Sequence, residues 1–428
     1  MTFGNSEALQ FAIKLVTLRR LSISPVAVEP LPAKTPQYLM TPLHERPAMT
    51  NGRDHRIDFF RGLALLFILW DHIPQNPLGH FTLRNFGFSD AAEIFVFLAG
   101  YAAVLAYGKI ALRDGYFIAS VRILRRAWTL YVVHIFLLVL LMGIVFFANE
   151  HVETRDMVQE MGLLHFVSNP QQAMVDELLL RFKPNLMDPL PLYIVLLGCL
   201  PLALPILVKW PNLAVGLSAL LYVPATVYGW NLSAYEGGGV WYFNPLAWQI
   251  MFVLGGVAAL HAQKPSLPDT RSLARQPLFV VSALYVLAAG LIALGWKWPA
   301  LHDVLVPQWL GERLYPISKT NLAPVRLLHF LALVYCTVKL LPRGKWVMHW
   351  SSQKLCLMGR YSLEVFCLSV LLAPMSDMVN ALADDRLSMQ LATAVGSAGL
   401  MLLLAVWLEF NKTLNKPPVP APAPVPVT

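Results

Sequence analysis

Charge is what this chain has least of: Asp, Glu, Lys and Arg make up 14% of its 428 residues, against 57% hydrophobic. That balance excludes an assembly of ordinary water-soluble domains and leaves an integral membrane protein. The formal charge of +8 is then no sign of a nucleic-acid partner, because its meaning depends on the side of a bilayer each positive residue occupies. Cysteine is sparse too. Cys199, Cys336, Cys356 and Cys367 lie in or at apolar runs without paired spacing, which argues against a disulfide framework or zinc site, so no metal is expected. A secretory signal is lacking as well, since the apolar run from Phe11 to Leu18 is short and carries Lys14. Residues 1–52 are expected to be a flexible cytoplasmic extension, within which Met49 is an alternative start. Prolines outnumber glycines, 32 to 25, which suits interrupted helices, loop corners and a disordered Pro-rich tail at 412–428.

What the chain does have is long apolar runs. Ten of them approach the length that crosses about 30 Å of hydrocarbon. They lie near 56–74, 90–110, 127–148, 189–208, 211–230, 244–262, 277–296, 323–341, 354–374 and 388–410. Only Lys209, Trp210 and Pro211 part the fourth from the fifth, so one kinked hairpin is an alternative there. Basic residues gather in alternate connections: Arg53 and Arg56; Arg113, Arg122, Arg125 and Arg126; Lys209; Lys264, Arg271 and Arg275; Arg343, Lys345 and Lys354; Lys412 and Lys416. The intervening connections are acidic, with Asp71, Asp90, Glu150, Asp188, Glu236 and Asp377 among them. The positive-inside rule therefore predicts an all-α polytopic bundle of about ten transmembrane helices over 53–411, with both termini cytoplasmic.

One stretch puts ionisable residues at both ends of an apolar helix: Arg53-Asp-His-Arg-Ile-Asp-Phe-Phe-Arg-Gly-Leu-Ala-Leu-Leu-Phe-Ile-Leu-Trp-Asp-His72. Eleven helical residues from Arg61 to His72 span roughly 16 Å and leave the two within about 20° of one face. Asp58, three residues before Arg61, can pair with it on that stripe. Charges in a membrane span usually face a bundle interior or wet cavity, which suggests a site. The alternative is that Asp58 and Arg61 mark the cytoplasmic end of the helix and Asp71 and His72 the opposite one.

Two acidic-side segments, about 149–188 and 297–322, are long enough to build a site instead of merely joining helices. The turn Tyr235-Glu-Gly-Gly-Gly-Val-Trp-Tyr-Phe-Asn-Pro245 leads into an aromatic cluster. Trp241, Tyr242 and Trp248 read either as an interfacial aromatic belt or as a stacking platform for a sugar face. Asp90-Ala-Ala-Glu93 has capping-box spacing, a structural role that competes with direct chemistry for Glu93.

Several stretches resemble the OpgC family of bacterial inner-membrane proteins. They are Arg56-Ile-Asp-Phe-Phe-Arg-Gly-Leu-Ala-Leu-Leu66, Leu83 to Tyr101, Leu190-Pro-Leu-Tyr193, Phe243 to Gln249, Lys319 to His329 and Gly359 to Phe366. The resemblance runs from about 53 to about 410. It implies O-succinylation of osmoregulated periplasmic glucans, and the family is similar to the broader acyltransferase-3 superfamily. That superfamily's first-helix motif, arginine, ten residues, histidine, falls on Arg61 and His72, and its histidine is regarded as catalytic. Its second-helix pattern of an acid, apolar residues and Ser-Gly falls on Glu93 to Gly100, with Ala99 in place of the serine.

The expected reaction moves a succinyl or other short acyl group from cytoplasmic acyl-CoA to a periplasmic glycan. His72 is the expected base, and Arg61 the group that holds the donor's thioester arm or acyl carboxylate. No tightly bound cofactor is expected; acyl-CoA enters as a substrate. Candidate substrate contacts are Asp58, Arg84, Asn85, Glu93, Trp241, Asn244, Gln249, Lys319, Asn321, Arg326 and, weakly, Glu364. Arg122, Arg125 and Arg126 are candidates for CoA phosphates, although the positive-inside bias accounts for them without a ligand. His134 reads as a hydrogen-bonded core histidine. Two other classes compete: a transporter of a glycan or organic anion, and a degenerate member serving as an assembly partner of glucan-synthesis proteins. No duplicated halves favour the transporter.

Overall fold

Proline starts five of the long helices, at Pro189, Pro211, Pro245, Pro277 and Pro324. Its fixed φ suits the first helical turn, where its missing N–H costs nothing. The computed structural model describes residues 54–263, 272–341 and 344–414; the expected extension at 1–52 and the tail from 415 onward lie outside them.

Eleven long helices follow in order: α1 (His55–His72), α2 (Ala91–Asp114), α3 (Tyr116–His151), α4 (Pro189–Lys209), α5 (Pro211–Val227), α6 (Pro245–His261), α7 (Pro277–Gly295), α8 (Pro324–Leu340), α9 (Trp350–Arg360), α10 (Ser362–Leu382) and α11 (Leu387–Leu414). Among the described residues the nearest thing to a strand is one bridge between Ser233 and Val240. Six helices, α2, α3, α4, α7, α10 and α11, are long and apolar enough to cross a membrane. α1, α5, α6 and α8 occupy the other expected intervals but are shorter or more charged.

The ninth expected interval, 354–374, is not one helix. The chain breaks at Tyr361, whose hydroxyl donates to Glu409 at 2.7 Å while Arg360 Nη1 meets the same carboxylate at 3.4 Å. The preceding piece, Trp-Ser-Ser-Gln-Lys-Leu-Cys-Leu-Met-Gly-Arg, is too short and polar to span. It packs instead against the start of α1.

Glycine sets the two closest crossings. A Cβ at Gly359 would stand 1.8 Å from the Asp58 carbonyl oxygen, and one at Gly62 would stand 2.0 Å from that of Leu355, so α9 and α1 touch backbone to backbone. α2 and α6 meet the same way through Gly100 and Gly255. In a bilayer, where no hydrophobic effect draws helices together, such close contact supplies the association energy. On α3, Leu130, His134, Leu137 and Leu141 face inward while Trp128 and Phe136 are exposed, the pattern of a helix with one protein-facing and one lipid-facing side.

The 152–188 segment carries the short helices Met157–Glu160, Leu164–Ser168 and Pro170–Leu178. It is tied down by polar contacts. Arg155 bridges Asp377 at 2.7 Å and also Asp385, and Glu177 meets the fully buried His134 of α3 at 2.8 Å. These ties hold it at the His72 end of the bundle.

Candidate active site

The last turn of α1 fixes the His72 ring. Its Nδ1 lies 2.6 Å from the Ile68 carbonyl oxygen, one turn back. A carbonyl only accepts, so Nδ1 carries the proton and Nε2 is left as the ring's acceptor. Asp71 plays no part in this: its carboxylate accepts from Thr82 and lies 3.2 Å from Arg84 Nε.

His72 lines a cavity of about 670 Å³. Its walls come from the end of α1, the start of α2, α10, the 157–188 segment and the 234–243 turn. Charges of both signs converge there: Asp71, Arg84, Asp90, Glu160, Arg181, Lys183, Asp188, Lys319 and Asp377. Lys319, Asp90 and Arg84 stand close enough to act electrostatically on the imidazole.

Lys319 Nζ lies 2.6 Å from Asp90 Oδ2, which also meets Arg326 Nη2 at 3.3 Å, and Arg326 Nη2 reaches Glu93 Oε1 at 2.6 Å. Two cations and two acids thus neutralise one another almost out of solvent. The expected capping box is present: Asp90 accepts from Ala92 N–H, and Glu93 Oε2 accepts from Asp90 N–H at 2.8 Å. Glu93 is therefore both a cap and the anchor for Arg326. For Lys319, burial weakens the ammonium, but the Asp90 and Glu93 carboxylates outweigh it and hold its pKa above the usual value.

Lys183 is a cation that sequence reasoning missed. Its Nζ sits 3.9 Å above the Trp241 ring and donates to the Leu180 carbonyl at 3.1 Å. Burial brings its pKa down to about 8, despite the opposing fields of Asp188 and Glu177. Asp188 moves the other way, raised by burial to about 6. The signal was available: lysine is scarce in acidic-side connections.

Of the expected contacts, the structure brings His72, Arg84 and Lys319 to one cavity. It does not bring Arg61 there. The cavity reaches Ile68 and Leu69 of α1, and below them Leu65 is fully buried, so the passage expected to join Arg61 to His72 is filled by packed side chains. Asp58 is also buried away from the cavity. Asn85 donates to the Gly79 carbonyl at 2.7 Å. Asn244 caps α6 through Leu246 N–H and donates to Asn321 Oδ1 at 2.9 Å, while Gln249 exchanges hydrogen bonds with Ser218 of α5. These asparagines and this glutamine tie backbone and helices together.

The aromatic belt is corrected too. Trp241 is 4% exposed and Trp248 0%, its indole N–H donating to the Lys319 carbonyl at 3.1 Å; only Tyr242 of the three is open, and it lines the cavity. Glu364, Arg122 and Arg125 are exposed and Arg126 half-buried, all apart from the cavity.

Residues 53–413 match the family model described as OpgC protein. The chain belongs to the OpgC family. No curated protein and no solved structure matches it. OpgC membership points to a transferase that modifies glucans, and the apolar helices to one held in a membrane.

Proposed function

We propose that this OpgC protein is an O-acyltransferase of the bacterial inner membrane. It moves a succinyl or other short acyl group from cytoplasmic acyl-CoA to a periplasmic glucan. In this reading the basic connections face the cytoplasm, ten crossings return both termini there, and the His72 cavity opens to the periplasm.

The observation that carries the proposal is the His72 tautomer: the Ile68 carbonyl holds Nδ1–H, so Nε2 stands ready as a base on a residue that lines a large polar cavity. Nε2 takes the proton from a sugar hydroxyl as its oxygen attacks the thioester carbonyl. The carbon–sulfur bond then breaks, and the imidazolium returns the proton to the departing thiolate. Lys319 and Arg84, cations near the imidazole, favour the negative charge that develops on the carbonyl oxygen. The donor's arm must pass Leu65 and Leu69, so the reaction requires α1 and its neighbours to part.

The test is label transfer from acyl-CoA to glucan by purified protein in nanodiscs. Wild-type transfer that is lost in His72→Ala supports the reading. Equal transfer by His72→Ala sinks it, and uptake of glucan into sealed vesicles without transfer would make the chain a carrier.

A further inference from the structure

A second concavity, about 350 Å³, opens at the opposite end of α1, where His55, Gln353, Lys354 and Arg360 surround an apolar floor that includes Leu357. Among the described residues its lining holds three basic side chains and no acid. Two carboxylates beside the lining residues are occupied. Asp54 is held by Arg56 through Nε at 3.1 Å and Nη2 at 2.9 Å, and Glu409 takes the Tyr361 hydroxyl. Arg360 shares Glu409 only at 3.4 Å through Nη1, and its Nε is buried with no hydrogen-bond partner among the described residues.

We infer that this pocket binds a phosphate group at the basic end of the bundle. A planar guanidinium fork, a compact ammonium and an imidazole arriving from two helices match a tetrahedral, multiply charged anion; a single carboxylate would occupy only one of them. The volume lies near the lower end of the roughly 300–1,000 Å³ range of ligand pockets, enough for a phosphate and its immediate attachment. The backbone contact of α9 with α1 at Gly359 and Gly62 makes the pocket rigid and places it on the helix that ends in His72. The phosphate belongs either to a soluble nucleotide-like donor or to an anionic lipid headgroup. The soluble alternative rests on the acyl-transfer reading, which calls for a CoA donor, but neither His72 nor the large cavity enters the pocket.

The test uses the full chain in phosphatidylcholine nanodiscs, with labelled CoA as one probe and retention of phosphatidylglycerol as the other. Lys354 is exposed, so Lys354→Glu leaves the fold intact, and Arg360→Gln serves as a second variant. A soluble source predicts saturable CoA binding that Lys354→Glu weakens by about tenfold or more. A lipid source predicts no CoA binding but phosphatidylglycerol retained by wild type and lost from Lys354→Glu. Either outcome supports the pocket. Unchanged binding of both probes in Lys354→Glu and Arg360→Gln overturns it, as does an equal loss from Arg122→Gln/Arg125→Gln, which would reduce the effect to general surface charge. Binding of neither probe by wild type overturns it too. His72→Ala keeps binding in every supporting case, so failure of the pocket and failure of the histidine are read separately.

Discussion

At the His72 end of α1, acids and bases are interleaved: Lys319, Asp90, Arg326 and Glu93 neutralise one another in a chain of contacts of 2.6 to 3.3 Å. At the His55 end the charged or titratable side chains that line the pocket among the described residues are all basic, and one of them, Arg360, meets Glu409 at 3.4 Å. A self-neutralised cluster holds its members rigid and leaves little net charge to attract a ligand, whereas an unbalanced one needs an anion to complete it. On the two proposals above, the first end orients groups for chemistry and the second holds a charged handle.

The sharpest way to break that division is His72→Ala. Loss of a positioned general base should lower transfer by about 10²- to 10⁴-fold while leaving CoA affinity unchanged, read by single-turnover label transfer beside equilibrium binding. A parallel fall in affinity would mean that the two ends of α1 share one site.

Next in size is Arg326→Met, which strands Glu93 and leaves Asp90 with Lys319 alone. Removing one partner of a buried ionic cluster costs about 3–5 kcal/mol, visible as a lower unfolding temperature in detergent. Arg326→Met combined with Glu93→Gln should recover much of it. No recovery would show that Arg326 serves some role other than balancing charge.

Lys183 sharpens the comparison through pH. Its pKa is about 8 in the folded chain against 10.5 for a free lysine, so between those values the unfolded chain binds the extra proton and stability rises with pH. Any pull on an anionic substrate works in reverse, because the ammonium is lost as pH climbs through about 8. KM for an acyl donor bearing a free carboxylate should therefore rise above that pH, and Lys183→Arg should flatten the profile. A wild-type KM independent of pH from 7 to 9 would leave Lys183 a structural cation seated on Trp241.

What could be read from the amino-acid order was local. The Asp90 and Glu93 cap was legible because its partners are three residues apart, and a helix occupies nine of the ten expected apolar intervals, the ninth being broken at Tyr361. The Arg61 and His72 stripe met a different limit. Helical angle says which residues share a face, but not whether that face meets a cavity or a packed neighbour, and Leu65 turned out to be sealed. Asn244 and Gln249 were expected as ligand contacts; their partners, Asn321 and Ser218, lie on other elements, out of reach of any local pattern. The contact of Lys183 with Trp241 joins two loops by tertiary packing alone.

The smallest effect tests where the interleaved cluster ends. Arg84 lies 3.2 Å from Asp71, but its side chain is 53% exposed, so water screens the pair and Arg84→Gln should move stability by no more than about 1 kcal/mol. Asp71 keeps its Thr82 hydroxyl, which limits the loss further. If Arg84 acts on the ligand, the variant should raise the acceptor's KM while unfolding stays near wild type, because an exposed cation beside an imidazole matters more to an arriving charge than to the fold. A large drop in unfolding temperature would instead place Arg84 inside the neutralised cluster, extending rigid structure to the cavity mouth.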